Sequence, residues 1–336
     1  MTKRVLKIIG SVLLVIFVTV FCYFFVGKAK PVENIKLGVT FSKIATEGFN
    51  LDWQKTYLEI LDDLQVKKIR LIAYWPEIEP EEGIFEWTDL DWQINQAEKR
   101  NVEIILAIGQ RLPRWPECHI PEWARHKSMD WRNQKLLEYI EKTVNRYKDR
   151  EVIHYWQIEN EPFLDSFGEC PKVDKEFLDK EIAFVKSIDS SREIILTESG
   201  EFSTWIGAAR RSKILGTSLY RIVWSKYLKM HAKYPIPAIF YQRKTALIKK
   251  IFDVEKIFII ELQAEPWGPK PTQELSSEEQ SKSMDLEKFR DIISYAKRAG
   301  FSEAYLWGAE WWYWLGTVHN DNSMWDEAKK LFGSDL

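Results

Sequence analysis

The 336-residue chain is poor in the residues that most often mark a site. Its 3 cysteines are too few for a disulfide scaffold or a metal knuckle. Of its 5 histidines, only His154 falls within a predicted strand. The sequence contains no H-E-x-x-H pair, no Ser/His/Asp set and no glycine loop able to cradle a phosphate. No metal or organic cofactor is therefore expected. Charge of one sign is missing too: 48 Lys+Arg against 50 Asp+Glu leave a formal net charge of -2, which offers no basic field to nucleic acid. With 45% hydrophobic and 29% charged residues, the composition also excludes disorder. What the chain has in excess is tryptophan. Its 16 Trp and 13 Tyr supply more flat, polar-tipped rings than a core needs, as suits a ligand with apolar faces and many hydroxyls.

One long hydrophobic run exists. Residues 8–26 carry no charge and have about the length needed to cross a bilayer as a helix. Lys3, Arg4 and Lys7 precede the run, and Lys28 and Lys30 follow it. A buried core helix would not be apolar on every side and flanked by cations. The run is longer than the roughly 7–15-residue apolar region of a cleaved signal peptide, and no clear A-x-A-type site follows it. Residues 1–30 therefore read as a cytoplasmic stub with an uncleaved membrane anchor, and residues 31–336 as one extracytoplasmic domain. Secretion after signal cleavage is the alternative. Cys22 lies in the run, whereas Cys118 and Cys170 sit in polar, Pro-flanked segments. An oxidising compartment permits a bridge between those two, with a pair of unpaired thiols as the alternative.

Past the anchor, strand-like and helix-like segments alternate. Apolar, β-branched runs at 35–40, 68–73, 102–108, 152–158, 193–196, 214–218, 256–260 and 304–307 are mostly continuous, as in strands buried on both faces of a parallel sheet. Helical spacing fills 51–64, 89–100, 133–147, 174–188 and 286–299, and the chain ends on an amphipathic 326–332. Short 207–211 and the proline-interrupted 220–243 stand where the fifth and sixth helices belong. Eight such units over about 300 residues match a (β/α)8 barrel. A doubly wound open sheet fits less well, because Phe41-Ser42-Lys43 rather than a Gly-rich turn follows the first strand.

In a barrel, chemistry belongs at the C-terminal strand ends. There the sequence reads Tyr74-Trp75, Gln110-Arg111, Asn160-Glu161-Pro162, Glu198, Tyr220, Glu261 and Trp307. What remains is acid–base work by paired carboxylates. Tyr155-Trp156-Gln157-Ile158-Glu159-Asn160-Glu161-Pro162 resembles the fourth-strand Asn-Glu-Pro motif of clan A glycoside hydrolases. Phe258-Ile259-Ile260-Glu261 is similar to the seventh-strand end that carries their nucleophile. Arg70 resembles the arginine that contacts the nucleophile, Gly216-Thr217-Ser218-Leu219-Tyr220 the segment supplying a tyrosine beside it, and Trp307 the tryptophan that floors the sugar subsite. Trp75-Pro76-Glu77-Ile78-Glu79-Pro80, with Gly83, Phe85 and Trp87 after it, is similar to barrels of the β-galactosidase and β-xylosidase type. Family 5 members usually carry histidines at the third and sixth strand ends, where this chain has Gln110 and Ser218.

The resemblance implies a retaining glycoside hydrolase acting on a β-linked glycan or glycoside. A transglycosylase remodelling surface glycan and an inactive carbohydrate-binding barrel are the alternatives. Glycosidic cleavage passes through an oxocarbenium-like state, needing one carboxylic acid for the leaving oxygen and one carboxylate opposite, about 5–5.5 Å away in a retaining enzyme. Glu161 is the expected acid/base and Glu261 the expected nucleophile. Arg70 and Tyr220 would hold Glu261 ionised, and Asn160 would meet the sugar 2-hydroxyl. Asn160 and Glu161 can share one cleft only if the chain bends, since consecutive strand residues face opposite ways. Trp75, Gln110, Trp115, Trp267 and Glu310 are further subsite candidates, and Glu198 is the rival carboxylate. The barrel also makes the loops holding Cys118 and Cys170 neighbours, which favours the disulfide. Carbohydrate is the expected partner, a monomer the expected state, and the membrane the expected attachment through residues 8–26.

Overall fold

The computed structural model describes residues 3–333. The continuous apolar runs form β1 (Lys36–Thr40), β2 (Lys68–Ile72), β3 (Glu103–Ile108), β4 (Ile153–Ile158), β5 (Ile194–Glu198) and β6 (Ile214–Leu219). A hairpin of β7 (Ile222–Ser225) and β8 (Met230–Lys233) follows, and β9 (Lys256–Gln263) and β10 (Glu303–Trp307) complete the set. All but the hairpin close into a parallel barrel in the order β1-β10-β9-β6-β5-β4-β3-β2. That closure removes both sheet edges and excludes the open doubly wound sheet. β4 and β9 are thus the fourth and seventh barrel strands.

Alternation along each strand decides which side chains meet. Ile69 and Leu71 of β2, and Ile104, Leu106 and Ile108 of β3, pack outward into the large core shared with the helices. Ile105, Ile195, Ile214, Phe258, Ile260 and Tyr305 form a second apolar cluster inside the barrel. Arg70 stands between Ile69 and Leu71, so the same alternation turns its fully buried guanidinium inward. The surrounding helices carry the expected punctuation. Asp285 caps Leu286–Arg298 by accepting from the Lys288 amide, and Gly300, at φ +86°, lets the chain turn away after it.

Residues 220–243 do not form the sixth helix expected of that stretch. Ile222-Val223-Trp224-Ser225 pairs antiparallel with Met230–Lys233, and the helix Ala238–Ile251 begins only after Pro237. Pro235 and Pro237 cannot occupy a helix interior, whereas proline just before a first turn costs nothing there. A helix at Ala309–His319 follows β10 and buries Trp311, Trp312 and Trp314.

The N-terminal apolar run forms one helix, Lys3–Phe25, almost wholly exposed. It spans about 35 Å at 1.5 Å per residue. Only its end touches the barrel. Phe24 and Phe25 pack on Phe240, at ring distances of 5.6 and 5.4 Å. Arg243 donates to the carbonyls of Cys22 and Val26 at 3.2 and 2.9 Å, adding a side-chain donor to the helix end, where the Cys22 carbonyl also accepts from the Val26 amide.

Candidate active site

The site begins where β4 ends. Beyond Ile158, Glu159 and Glu161 both take left-handed backbone, at φ +54° and +43°. Each such residue costs on the order of 1–3 kcal/mol and persists only where its surroundings fix it. Here they do. The Glu159 amide donates to Ile108 O at 3.0 Å, Asn160 to Arg111 O at 2.6 Å, and Glu161 to Thr197 Oγ1 at 2.7 Å. Glu159 turns its carboxylate back onto the Gln110 and Arg111 amides, against Gly109, where a β-carbon would lie 2.4 Å from that carboxylate. This double bend supplies the break in alternation that brings both Asn160 and Glu161 towards Glu261, Asn160 through their shared partner Arg70 and Glu161 through its charge.

Arg70 organises the centre. Its Nη1 donates to Glu261 Oε1 at 2.8 Å, its Nε to Gln157 Oε1 at 2.8 Å and its Nη2 to Asn160 Oδ1 at 2.7 Å. Tyr220 donates its hydroxyl to Glu261 Oε2 at 3.1 Å, so both oxygens of Glu261 have a partner. Glu161 differs in kind: its Oε1 is buried without a hydrogen-bond partner. Burial, then the charge of Glu261, pushes the Glu161 carboxyl well above the ordinary range. The two carboxyls therefore oppose each other electrostatically: Glu261 has a cation and the Tyr220 hydroxyl, whereas Glu161 has only the Ser218 hydroxyl, which lowers its proton affinity less than burial and Glu261 raise it.

A second polar group lies beneath Trp307. The Trp307 Nε1 donates to Glu265 Oε1 at 2.8 Å, while the Arg114 guanidinium stands 4.2 Å over the indole. Arg114 also binds Glu265 at 2.5 Å and Glu310 at 3.1 Å. One face of Trp307 is thus taken by a cation, leaving only the other face and the edge of the indole. Glu310 is fully buried and accepts from the Ser42 amide at 2.7 Å.

Among the other candidates, Trp267 meets the Tyr220 ring edge-on at 5.2 Å. Phe167 follows at 5.4 Å, and the exposed Trp115 lies 6.0 Å beyond it. These rings make an aromatic row from the carboxylates to the surface. Trp75 does not belong to that row. It is fully buried between Tyr139 and Trp123, with its Nε1 on Glu79, because the turn after β2 folds it inward under the neighbouring helix. Gln110 lines a separate cleft with Cys118, Cys170, Glu159 and Glu181. Glu198 accepts from the Ala208 amide at 2.8 Å, and burial pushes it up to about 7. Cys118 and Cys170 are joined by a disulfide of 2.06 Å.

Several participants were missed from sequence. Glu117 is 5% exposed and accepts from Asn160 Nδ2 at 3.0 Å. Gln157, Thr197 and Arg114 were missed as well. For Gln157 a signal existed, since a glutamine on the inward face of an otherwise apolar barrel strand asks for a polar partner.

The family model of Glycosyl hydrolase family 10 matches residues 72–179, a span that includes Glu161 and stops short of Glu261. No curated protein matches the chain by sequence. Among solved structures, a β-galactosidase from Halorubrum lacusprofundi is 14% identical, with 81% of this chain and 52% of that one covered at a TM-score of 0.54. An exo-β-1,4-mannosidase from Opitutaceae bacterium strain TAV5 is 13% identical, with 85% and 53% covered at 0.57. The chain spans about half the length of both. Xylanase 10B of Thermotoga maritima is 15% identical, with 82% and 83% covered at 0.54. The family model carries the likeness to glycoside hydrolases over residues 72–179, and the structural neighbours share the barrel fold.

Proposed function

We propose that this chain is a retaining glycoside hydrolase acting on β-linked glycans or glycosides, held outside the cytoplasm by its N-terminal helix. The observation that carries the reading is the unequal treatment of two carboxyls, Glu161 just past β4 and Glu261 near the end of β9. Glu261 is bonded by Arg70 and Tyr220, whereas Glu161 is buried and its Oε1 has no partner. Unequal environments are how two like groups acquire an acid and a base role.

Glu161, held neutral by burial and by the neighbouring charge, donates its proton to the leaving glycosidic oxygen. Glu261 attacks the anomeric carbon as that bond breaks, giving a glycosyl ester on the enzyme. Glu161, now ionised, takes a proton from water. The water oxygen displaces Glu261, and the sugar leaves with retained configuration. Asn160 offers its amide to the 2-hydroxyl, and the Tyr220–Trp267–Phe167–Trp115 row receives the sugar units beyond the cleaved bond. The match to family 10 and the xylanase, mannosidase and galactosidase neighbours all support a β-linked substrate.

The test is turnover of aryl β-glycosides together with xylan, β-mannan, β-glucan and β-galactosides. The wild type should release product from at least one, and Glu261→Ala should lower kcat by about 10⁴-fold or more. A wild type inert towards the whole panel, or a Glu261→Ala variant as fast as wild type, sinks the reading. Transfer of the glycosyl group to added sugar in preference to water would reassign the chain as a transglycosylase.

A further inference from the structure

Glu117 is a third carboxyl at this site, and nothing in the reaction just described employs it. Its place is built with care. The loop after β3 doubles back so that the Glu117 amide donates to Arg114 O and its carbonyl accepts from Leu112 N, both at 2.7 Å. Its backbone is left-handed, at φ +72°. Gly168, in the loop after β4, packs against its side chain, where a β-carbon would come within 2.7 Å. The next residue, Cys118, is bonded to Cys170 in that same β4 loop, and the Glu169 amide donates to Pro116 O at 2.9 Å. So the disulfide ties the loop carrying Glu117 to the loop that issues from Asn160 and Glu161.

Glu117, carried on the tied loop, meets Asn160. The Asn160 Oδ1 faces donors alone: Arg70 Nη2 at 2.7 Å, Gln157 Nε2 at 3.3 Å and Thr197 Oγ1 at 3.4 Å. Its Nδ2 faces Glu117 Oε2. Donors on one side and an acceptor on the other admit a single amide orientation. One Nδ2 hydrogen is spent on Glu117, which leaves the second for a substrate oxygen. Removing the acceptor leaves the amide fixed from one side only, and a misdirected donor weakens the contact that should tighten as the sugar ring flattens.

We propose that Glu117 is a positioning residue that aims the Asn160 amide at the sugar 2-hydroxyl, and that the Cys118–Cys170 disulfide holds it there. The proposal rests on the glycosidase reading. What it adds is that the 2-hydroxyl contact already assigned to Asn160 depends on Glu117.

The experiment compares full-length wild type, Glu117→Ala, Glu117→Gln and the Cys118→Ser/Cys170→Ser double variant on matched 2-hydroxy and 2-deoxy aryl β-glycosides. Glu117→Ala should lose about 10–100-fold in kcat on the 2-hydroxy substrate, with KM little changed, and less than about 3-fold on the 2-deoxy substrate. Glu117→Gln keeps an acceptor and should recover most of that loss. The cysteine double variant should show the same selective loss as Glu117→Ala. Equal losses on both substrates, no loss, or a glutamine as impaired as the alanine overturns the role of Glu117. A cysteine variant with wild-type turnover overturns the role of the disulfide. A wild type that cleaves neither substrate, nor any in the wider panel, instead sinks the underlying glycosidase reading.

Discussion

The two ends of the barrel handle charge in opposite ways. At the N-terminal strand ends, carboxylates and cations are matched. Lys68 is bonded to Glu103 and lies 3.8 Å from Glu303, and Lys256 binds Glu303 at 2.9 Å. Burial pushes the Glu103 carboxyl up, but the Lys68 ammonium more than offsets this and holds it below the usual range. At the C-terminal ends, Glu117, Glu161 and Glu261 gather round Arg70, which bonds directly to only one of them. Burial first, then the charge of Glu261, pushes Glu117 up to about 8. Matching charge makes a durable floor. A surplus of carboxyls stores protons near neutral pH, which acid–base chemistry needs.

That contrast can be broken at its centre. Arg70→Met removes the guanidinium and leaves Glu261, Gln157 and Asn160 without their shared donor. Uncompensated buried charge costs about 3–5 kcal/mol, to be read by urea unfolding, and kcat should fall more than about 100-fold. A stable, fully active Arg70→Met would show that the surplus is not organised by that residue.

The next effect is one of pH. The groups acting on Glu117 are Glu261, Asn160, Arg111 and Arg70. Its folded-state affinity for a proton exceeds the ordinary carboxylate value of 4.5. Its contribution to stability is therefore complete below about pH 4.5 and is lost as pH rises through about 8. Glu117→Gln should flatten that decline and gain up to about 5 kcal/mol over wild type at pH 9 in unfolding titrations, with little gain at pH 4. An unchanged pH slope would mean that the carboxyl is not held neutral.

The smallest effect should come from the matched end. Glu303→Gln weakens the contacts to Lys68 and Lys256, both partly exposed, and should cost about 1 kcal/mol while leaving kcat unchanged. A large loss of activity there would show that the two ends are not independent.

Much of this molecule is readable along the chain. The eight barrel strands fall where apolar β-branched runs lie, because strands covered on both faces need side chains that tolerate burial on both. Asn160, Glu161 and Glu261 could be singled out because each closes such a run, and Arg70 because it interrupts one. The hairpin of β7 and β8 was harder, since Pro235 and Pro237 exclude a helix without specifying its replacement. Glu117 and Arg114 were illegible for another reason. Their partners lie 43 and 196 residues away, and no local pattern encodes an approach between loops.

Residue order by itself determined the apolar N-terminal helix, the alternating strands and helices, and the carboxylates that follow the apolar runs of the fourth and seventh strands. These follow from burial periodicity and backbone preference, which act over a few neighbouring residues. Only closure of the barrel decided which carboxyl would keep a cation and which would stay buried without one. It also set one face of Trp307 under Arg114 and brought Glu117 to Asn160. Those outcomes depend on desolvation and on distances between segments far apart in the chain, and these exist only once the strands have met.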